Sequence, residues 1–192
     1  DPHLRLSLPP VWYLIQLQVD PVAGGEDGYQ VWGASIPGCP YIQVGHNRRI
    51  SWGATAALCD DGELYREKIH PQKPDHYAVG NEWVKMDCRE ERIFNRGREP
   101  VKINLRLTRH GPLVSDFIET PEAAEAIAFK WTGHDPGEEM RSLWGINRAR
   151  DWDQFLDGLS YHNAPTLNFV YADVDGNIGY SLAGKVPLRP QA

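Results

Sequence analysis

Positive charge is in short supply. The 192 residues carry a formal net charge of −6, which leaves no basic field for a polyanion and disfavours a nucleic-acid partner. Long apolar runs are missing as well. None reaches the roughly 18 residues that a membrane-spanning helix needs, so no membrane partner is expected. Cysteine is sparse: Cys39, Cys59 and Cys88 form no CxxC pair, and three thiols cannot all pair internally. They neither require nor exclude an oxidising compartment, and free buried thiols are the expectation. The histidines at 3, 46, 70, 76, 110, 134 and 162 show no HxH or HxxxH spacing, which argues against zinc. There is no P-loop and no GxGxxG after a strand, and no organic cofactor is expected. "GASIPG" at 33–38 misses the GxSxG elbow by one residue and opens no helix. A self-contained Ser-His-Asp hydrolase is therefore disfavoured.

What is present is apolar and aromatic. Hydrophobic residues make up 41% of the chain, with seven tryptophans and eight tyrosines, enough for a real core and too many for disorder. The length suits one large domain or two small ones. The chain opens with Asp1-Pro2-His3-Leu4, then runs at once into "RLSLPPVWYLIQL"; it stops at "VPLRPQA" after another strand-like run. There is no initiator Met and no signal peptide. We expect an internal piece of something longer.

Strand signals dominate. Alternating or β-rich runs fall at 11–19, 29–34, 41–44, 83–88, 91–94, 101–108, 127–132 and 168–171, with Gly or Pro between most of them. "EERIFNRGREPVKINLRLTRHGPLV" reads as a hairpin around Asn95-Arg96-Gly97 ending in a Gly-Pro stop. Asp175-Gly176-Asn177 reads as a second hairpin turn. "DVDGN" at 173–177 also resembles the start of an EF-hand loop, but no bidentate Glu follows at the required spacing. Helix signals are few. "TPEAAEAIA" has Thr120 as N-cap and Pro121 at the first position. "RDWDQFLDGLSYH" puts Trp152, Phe155, Leu156 and Leu159 on one face, with Asp151 as cap. A further helical turn is expected over 62–68. The class is α+β, mostly antiparallel strands with few helices.

One segment, "GHNRRISWGATAALCDDGELYRE" at 45–67, raises a question of its own. Small residues at Ala54, Thr55, Ala56 and Ala57 leave the backbone bare after a Trp-Gly turn, and Asp60, Asp61, Glu63 and Glu67 then crowd like charge. It is either a surface turn with a solvated acidic face or a backbone built for something to approach.

Four segments carry a resemblance: "DPHL" at 1–4, "PGCPYIQVGHNRRISWGATAALCDDGELYRE" at 37–67, "RHGPLV" at 109–114 and "LNFVYADVDGNIGYSLAGKVPLR" at 167–189. Together they resemble the penicillin acylase (penicillin amidase) family of N-terminal-nucleophile amidohydrolases, across the whole chain and in the family's order. The resemblance implies an early segment of the large β chain. Residues 1–192 would form a single fragment of an αββα sandwich, with a β-rich inserted subregion at about 70–135. The partners implied are a small-molecule N-acyl amide substrate and the remainder of the acylase α and β chains. A periplasmic or secreted home is implied by the family alone.

The family's chemistry begins with a serine freed by self-cleavage a short distance before the DPHL segment, a residue not found among these 192. Its hydroxyl attacks the amide carbonyl while its own α-amine, with a pKa of roughly 7.7–8.0, serves as base. The resemblance assigns one oxyanion donor to the backbone N–H of Ala56 and the other to the side-chain amide of Asn168. His3 matches a position beside the nucleophile, and Arg189 an arginine that orients the asparagine and substrate. Leu4, Val44 and Ala54 match acyl-pocket positions. Asp60, Gly62 and Glu63 match a calcium site of some relatives, with Asp173 a weaker ligand. His46 and Asn47 are expected to brace the turn before "ISWG". Each also has a plainer reading: a core alanine at Ala56, a capped loop histidine at His3, a surface arginine at Arg189, a solvated acidic turn. For the chain as a whole, the alternative is a non-catalytic β-rich binding module that keeps the family's shape.

Overall fold

Alternation in "YLIQLQV" puts Ile15 and Leu17 on one side of a strand, and the neighbouring segments repeat that two-residue period. The computed structural model describes residues 7–21, 28–118 and 125–189. In chain order the first strands are β1 (Tyr13–Val19), β2 (Tyr29–Ser35), β3 (Val44–Asn47) and β4 (Ile50–Ala56). Next come β5 (Gly62–Glu67), β6 (Ile69–His70), β7 (Lys73–Val79), β8 (Glu82–Lys85), β9 (Asp87–Ile93), β10 (Val101–Thr108), β11 (Gly111–Pro112) and β12 (Ala126–Trp131). Helices α1 (Glu139–Arg148) and α2 (Trp152–Ser160) precede β13 (Leu167–Asp173) and β14 (Ile178–Ala183). Every strand pair is antiparallel, and two α-helices occur among the described residues, in keeping with the expected class. The chain divides into two compact units, residues 1–61 with 135–192 and residues 62–134.

In the first unit, six strands line up in the order β1-β2-β3-β4-β13-β14. One face of this sheet is apolar because alternate residues point the same way: Val31, Ile50, Trp52, Phe169 and Tyr171 are buried there. They pack with Ile146 of α1 and with Phe155 and Leu159 of α2 in one cluster. Asp151 caps α2 as expected, its carboxylate accepting from the Gln154 N–H at 2.8 Å. The two helices touch backbone to backbone. A Cβ on Gly158 would lie 2.8 Å from the Ile146 nitrogen, and one on Gly145 would lie 2.9 Å from the Gly158 Cα.

The fully buried Asn147 of α1 fastens the helix layer to the loop before β3. Its Oδ1 accepts from the Ile42 N–H at 2.8 Å and its Nδ2 donates to the Ile42 carbonyl at 2.7 Å. Asn47 completes the clasp. Its Nδ2 donates to the carbonyls of Asn147 and Ala149, and its Oδ1 accepts from the N–H groups of Arg49 and Ile50. The expected brace before "ISWG" is therefore present.

The second unit holds three small sheets, β6-β7-β8, β11-β10-β9 and β5-β12, around a core of Tyr77, Met86, Leu113 and Ala128. The "RHGP" turn is structural here. Gly111 has a φ of 112° and a Cβ there would meet the Phe129 carbonyl at 2.2 Å, so only glycine fits. Beside it, His110 hydrogen-bonds the buried Glu67 at 2.8 Å and stacks on Tyr65 at 3.8 Å between centroids.

Several local expectations give way to the tertiary structure. Residues 62–67 are strand β5, because a cross-strand partner, β12, satisfies their backbone. Trp52-Gly53 is not a turn but the middle of β4, where Trp52 fills the core and its Nε1 donates to the Gln43 carbonyl. Helix α1 was not expected: two of its three buried positions, Ser142 and Asn147, are polar and hide the apolar period. Most of the expected 120–128 helix lies outside the described residues, and its end, from Ala126, is strand β12. The Gly-Pro stop turns back as β11 onto β10. Both hairpins occur as expected. The three cysteines are free, with Cys88 exposed and the other two half-buried, so the thiols are less buried than expected.

The crossing of α1 and α2 generates a prediction. Gly158→Ala should gain about 1 kcal/mol in helix propensity, yet it must push two helix backbones apart, which costs about 1–3 kcal/mol. A lower denaturation midpoint is expected by circular dichroism; a raised one would mean that the helices separate freely.

Candidate active site

Strand β4 pairs with β13 in a ladder that sets Thr55 opposite Asn168 and Ala56 opposite Leu167. One rung farther on, the Ala57 N–H donates to the Thr166 carbonyl at 3.0 Å. Antiparallel ladders alternate bonded and non-bonded pairs, so the Ala56 peptide groups turn away from β13. On that other side β3 begins only at Val44, one residue before the Gly45–Trp52 pair. The edge of β4 at Ala56 therefore lies past the end of β3, and Ala56 itself is exposed.

Asn168 reaches over this edge. Its Nδ2 donates to the Ala56 carbonyl at 3.4 Å, although the two residues are 112 positions apart in the chain. Its Oδ1 accepts from the hydroxyl of Tyr180 at 2.6 Å. The first contact is at the long limit of a hydrogen bond and is easily given up; the second is short and firm. Tyr180 did not emerge as a site residue from the sequence. The signal was available: the Asp175-Gly176-Asn177 turn fixes the β13–β14 register, which pairs Asn168 with Leu182 and Val170 with Tyr180. Asn168 and Tyr180 are thus diagonal neighbours on one face, a spacing of roughly 7–8 Å that an aromatic side chain spans.

The other sequence candidates fall out unevenly. His3 and Leu4 lie outside the described residues. Arg189 pairs with Asp60, its Nη2 lying 3.0 Å from the carboxylate and donating to the Asp60 carbonyl at 3.1 Å. Val44 and Ala54 do not line one surface. Gly45 faces Trp52 across the ladder, so Val44, one residue earlier, points to the opposite side from Trp52 and Ala54. Ala54 instead packs against the core cluster. His46 stacks on Trp32 at 5.1 Å.

The residues of the expected calcium set fall in several elements. Asp60 pairs with Arg189, and Gly62 and Glu63 begin β5. Asp173 sits opposite Ile50, at the far end of the β4–β13 ladder from Ala56, roughly 20 Å along the strand. It cannot share an ion with Asp60. Among the described residues no three His, Cys, Asp or Glu side chains group to hold a metal.

Asp173 organises the β13–β14 turn instead. Its Oδ1 accepts from the N–H groups of Asp175 and Asn177, and its Oδ2 from Asn177 Nδ2 and the Tyr171 hydroxyl. The Asn177 side chain is the largest cause holding this carboxyl below its ordinary value, and the turn N–H groups and Tyr171 add to it against the opposing effect of desolvation. Desolvation and the Asp173 contact push the Tyr171 phenol up to about 12, so it remains a donor throughout the neutral range. A carboxylate with a depressed folded-state pKa contributes stability that is complete above its unfolded value and lost as pH falls through the folded one. Urea melts between neutral pH and the acid limb should therefore show Asp173→Asn with lower stability at neutral pH and a shallower acid loss than the parent. An unchanged acid slope would mean that the turn does not depend on the charge.

With this geometry described, comparison with known proteins identifies the family. The sequence pattern of penicillin amidase matches residues 1–192. Penicillin G acylase of Escherichia coli is 34% identical over 165 residues, covering 84% of this chain and 19% of that protein. Acyl-homoserine lactone acylase QuiP of Pseudomonas aeruginosa is 28% identical over 201 residues, covering 100% of this chain and 23% of that protein. Among solved structures, the thermostable penicillin G acylase from Alcaligenes faecalis superposes with a TM-score of 0.81 at 33% identity, over 98% of this chain and 32% of that one. The chain spans about a fifth of the length of these curated relatives. Matched along its whole length, and sharing its fold with a solved acylase, the chain belongs to the penicillin amidase family.

Proposed function

We propose that these residues form the oxyanion-holding part of an N-acyl amide hydrolase, with the nucleophile supplied by a residue outside the 192. The observation that carries this reading is the Asn168 carboxamide lying over Ala56 with its nitrogen end toward that strand edge. Both relatives named above are acylases, which points to an acyl amide as the substrate class.

The chemistry follows from where charge develops. When a serine hydroxyl adds to the amide carbon, the carbonyl oxygen gains a full negative charge that water can no longer solvate. Two donors about 2.7–3.1 Å from that oxygen stabilise it more than they stabilise the ground-state carbonyl. The Ala56 N–H is a rigid donor because the β4–β13 ladder holds its peptide plane. The Asn168 Nδ2 is a neutral donor that exchanges a 3.4 Å contact for a charged acceptor. Neither group titrates, so the donor pair operates at any pH at which the nucleophile does. Arg189 then acts indirectly, by tying the Asp60 loop that follows Ala56. A periplasmic or secreted location and assembly with the remaining acylase chains are part of the same proposal, resting on family membership. The family resemblance also offers Asp60, Gly62 and Glu63 as ligands for a structural calcium ion, which would share Asp60 with Arg189.

Two measurements test this reading. In the full-length parent protein, assayed with chromogenic phenylacetyl and fatty-acyl amides, Asn168→Ala should lower kcat by about 10²–10³-fold with a far smaller change in KM. Equal loss in kcat/KM through KM alone would make Asn168 a binding residue, and an unaffected kcat would remove it from the site. The 192-residue chain by itself should release no product above background, since the proposed nucleophile lies outside it. Turnover by the isolated chain that survives repurification and vanishes on a single substitution within it would overturn the assignment of the nucleophile to another segment.

A further inference from the structure

We propose that Tyr180 is a positioning residue for the oxyanion donor: its hydroxyl decides which end of the Asn168 carboxamide faces the reacting group. The inference rests on the reading of Asn168 given above. A carboxamide is nearly symmetric in shape but opposite in chemistry at its two ends, and only the nitrogen end can stabilise an oxyanion. Rotation by half a turn about the last side-chain bond would present Oδ1 instead, and a lone pair would then face the developing negative charge.

The contacts of Asn168 specify one of the two orientations. The Ala56 carbonyl can only accept, so the amide end that meets it at 3.4 Å must be nitrogen. The remaining end is then oxygen, which can only accept, so the Tyr180 hydroxyl at 2.6 Å must donate its proton there. The Ala56 contact is too long to hold the orientation alone, and it is the one that breaks when a substrate oxygen takes its place. During catalysis the Tyr180 hydrogen bond is the restraint that remains. It also draws electron density toward Oδ1, which makes the Nδ2 protons better donors.

The placement is supported by the backbone. Tyr180 reaches Asn168 as a diagonal neighbour in the β13–β14 hairpin, whose register is set by the turn at Asp175-Gly176-Asn177. Its ring is 61% exposed in this chain, so the hydroxyl can be removed without opening a core cavity. An exposed tyrosine that gives its proton to a neighbouring asparagine contributes little to folding, which separates a positioning role from a structural one.

The test is a double-mutant cycle in the full-length, processed protein with a chromogenic acyl amide. Tyr180→Phe should lower kcat by about 2- to 10-fold, the effect of losing one neutral hydrogen bond, with KM within about 2-fold and the thermal midpoint unchanged. In the Asn168→Ala background the same substitution should have no further effect, because the group it positions is gone. Three outcomes overturn the inference: a normal kcat for Tyr180→Phe beside a crippled Asn168→Ala, an equal loss in both backgrounds, or a loss tracked by a lower melting temperature. If Asn168→Ala is itself silent, the oxyanion reading fails and Tyr180 has nothing to position. The Asn168 arm therefore separates failure of the site from failure of the positioning role.

Discussion

The ladder between β4 and β13 is the constraint on which the candidate site depends. It joins segments separated by more than a hundred residues and sets their register rung by rung from Ile50–Asp173 to Ala56–Leu167. A slip of one residue would turn Asn168 to the helix side and put Phe169 in water. The core pair Trp52–Tyr171 and the half-buried Ala54 opposite buried Phe169 therefore do more than fill the core. By making every other register expensive, they place an amide side chain over a bare peptide at the strand end.

The helix layer secures that ladder from behind. Asn147 satisfies both backbone groups of Ile42, and Asn47 binds the end of α1 while closing the β3–β4 turn. All of these groups would be costly to leave unpaired away from water. The polar clasp and the apolar cluster around Phe155 thus act on the same object, the placement of β3 and β4. The early end of β3 leaves the Ala56 edge of β4 exposed, because one strand is shorter than its neighbour.

The acidic stretch after Ala57 has a resolution of this kind. Asp60 answers the charge of Arg189, Glu67 is buried against His110, and Glu63 lies in β5. Asp60 and Glu67 are thus each taken up by a partner of their own. The small residues before them have the opposite fate. Ala56 is exposed at a strand edge, and only there does its small side chain leave the peptide accessible.

By itself the sequence determined the antiparallel character, both hairpins, the Asp151-capped helix and the pair Ala56 and Asn168 as residues to follow. The strands, hairpins and cap rest on local chemistry, a period of two, a turn that needs Asp and Gly, a cap that needs a carboxylate, whereas Ala56 and Asn168 rest on the family resemblance. The sequence motifs also identified the family. What the sequence misjudged was decided by contacts made at long range. Strand β5 overrode a helical expectation because β12 supplied hydrogen bonds. Helix α1 went unread because a serine and an asparagine, Ser142 and Asn147, share its buried face with Ile146. Val44 and Ala54 parted company because the β3–β4 register sets their faces. Tyr180 met Asn168 only when β14 folded back along β13. A residue's chemical type is written in the chain, but which group it meets depends on the register of strands it has no local reason to join, and packing of the whole sheet settles that register.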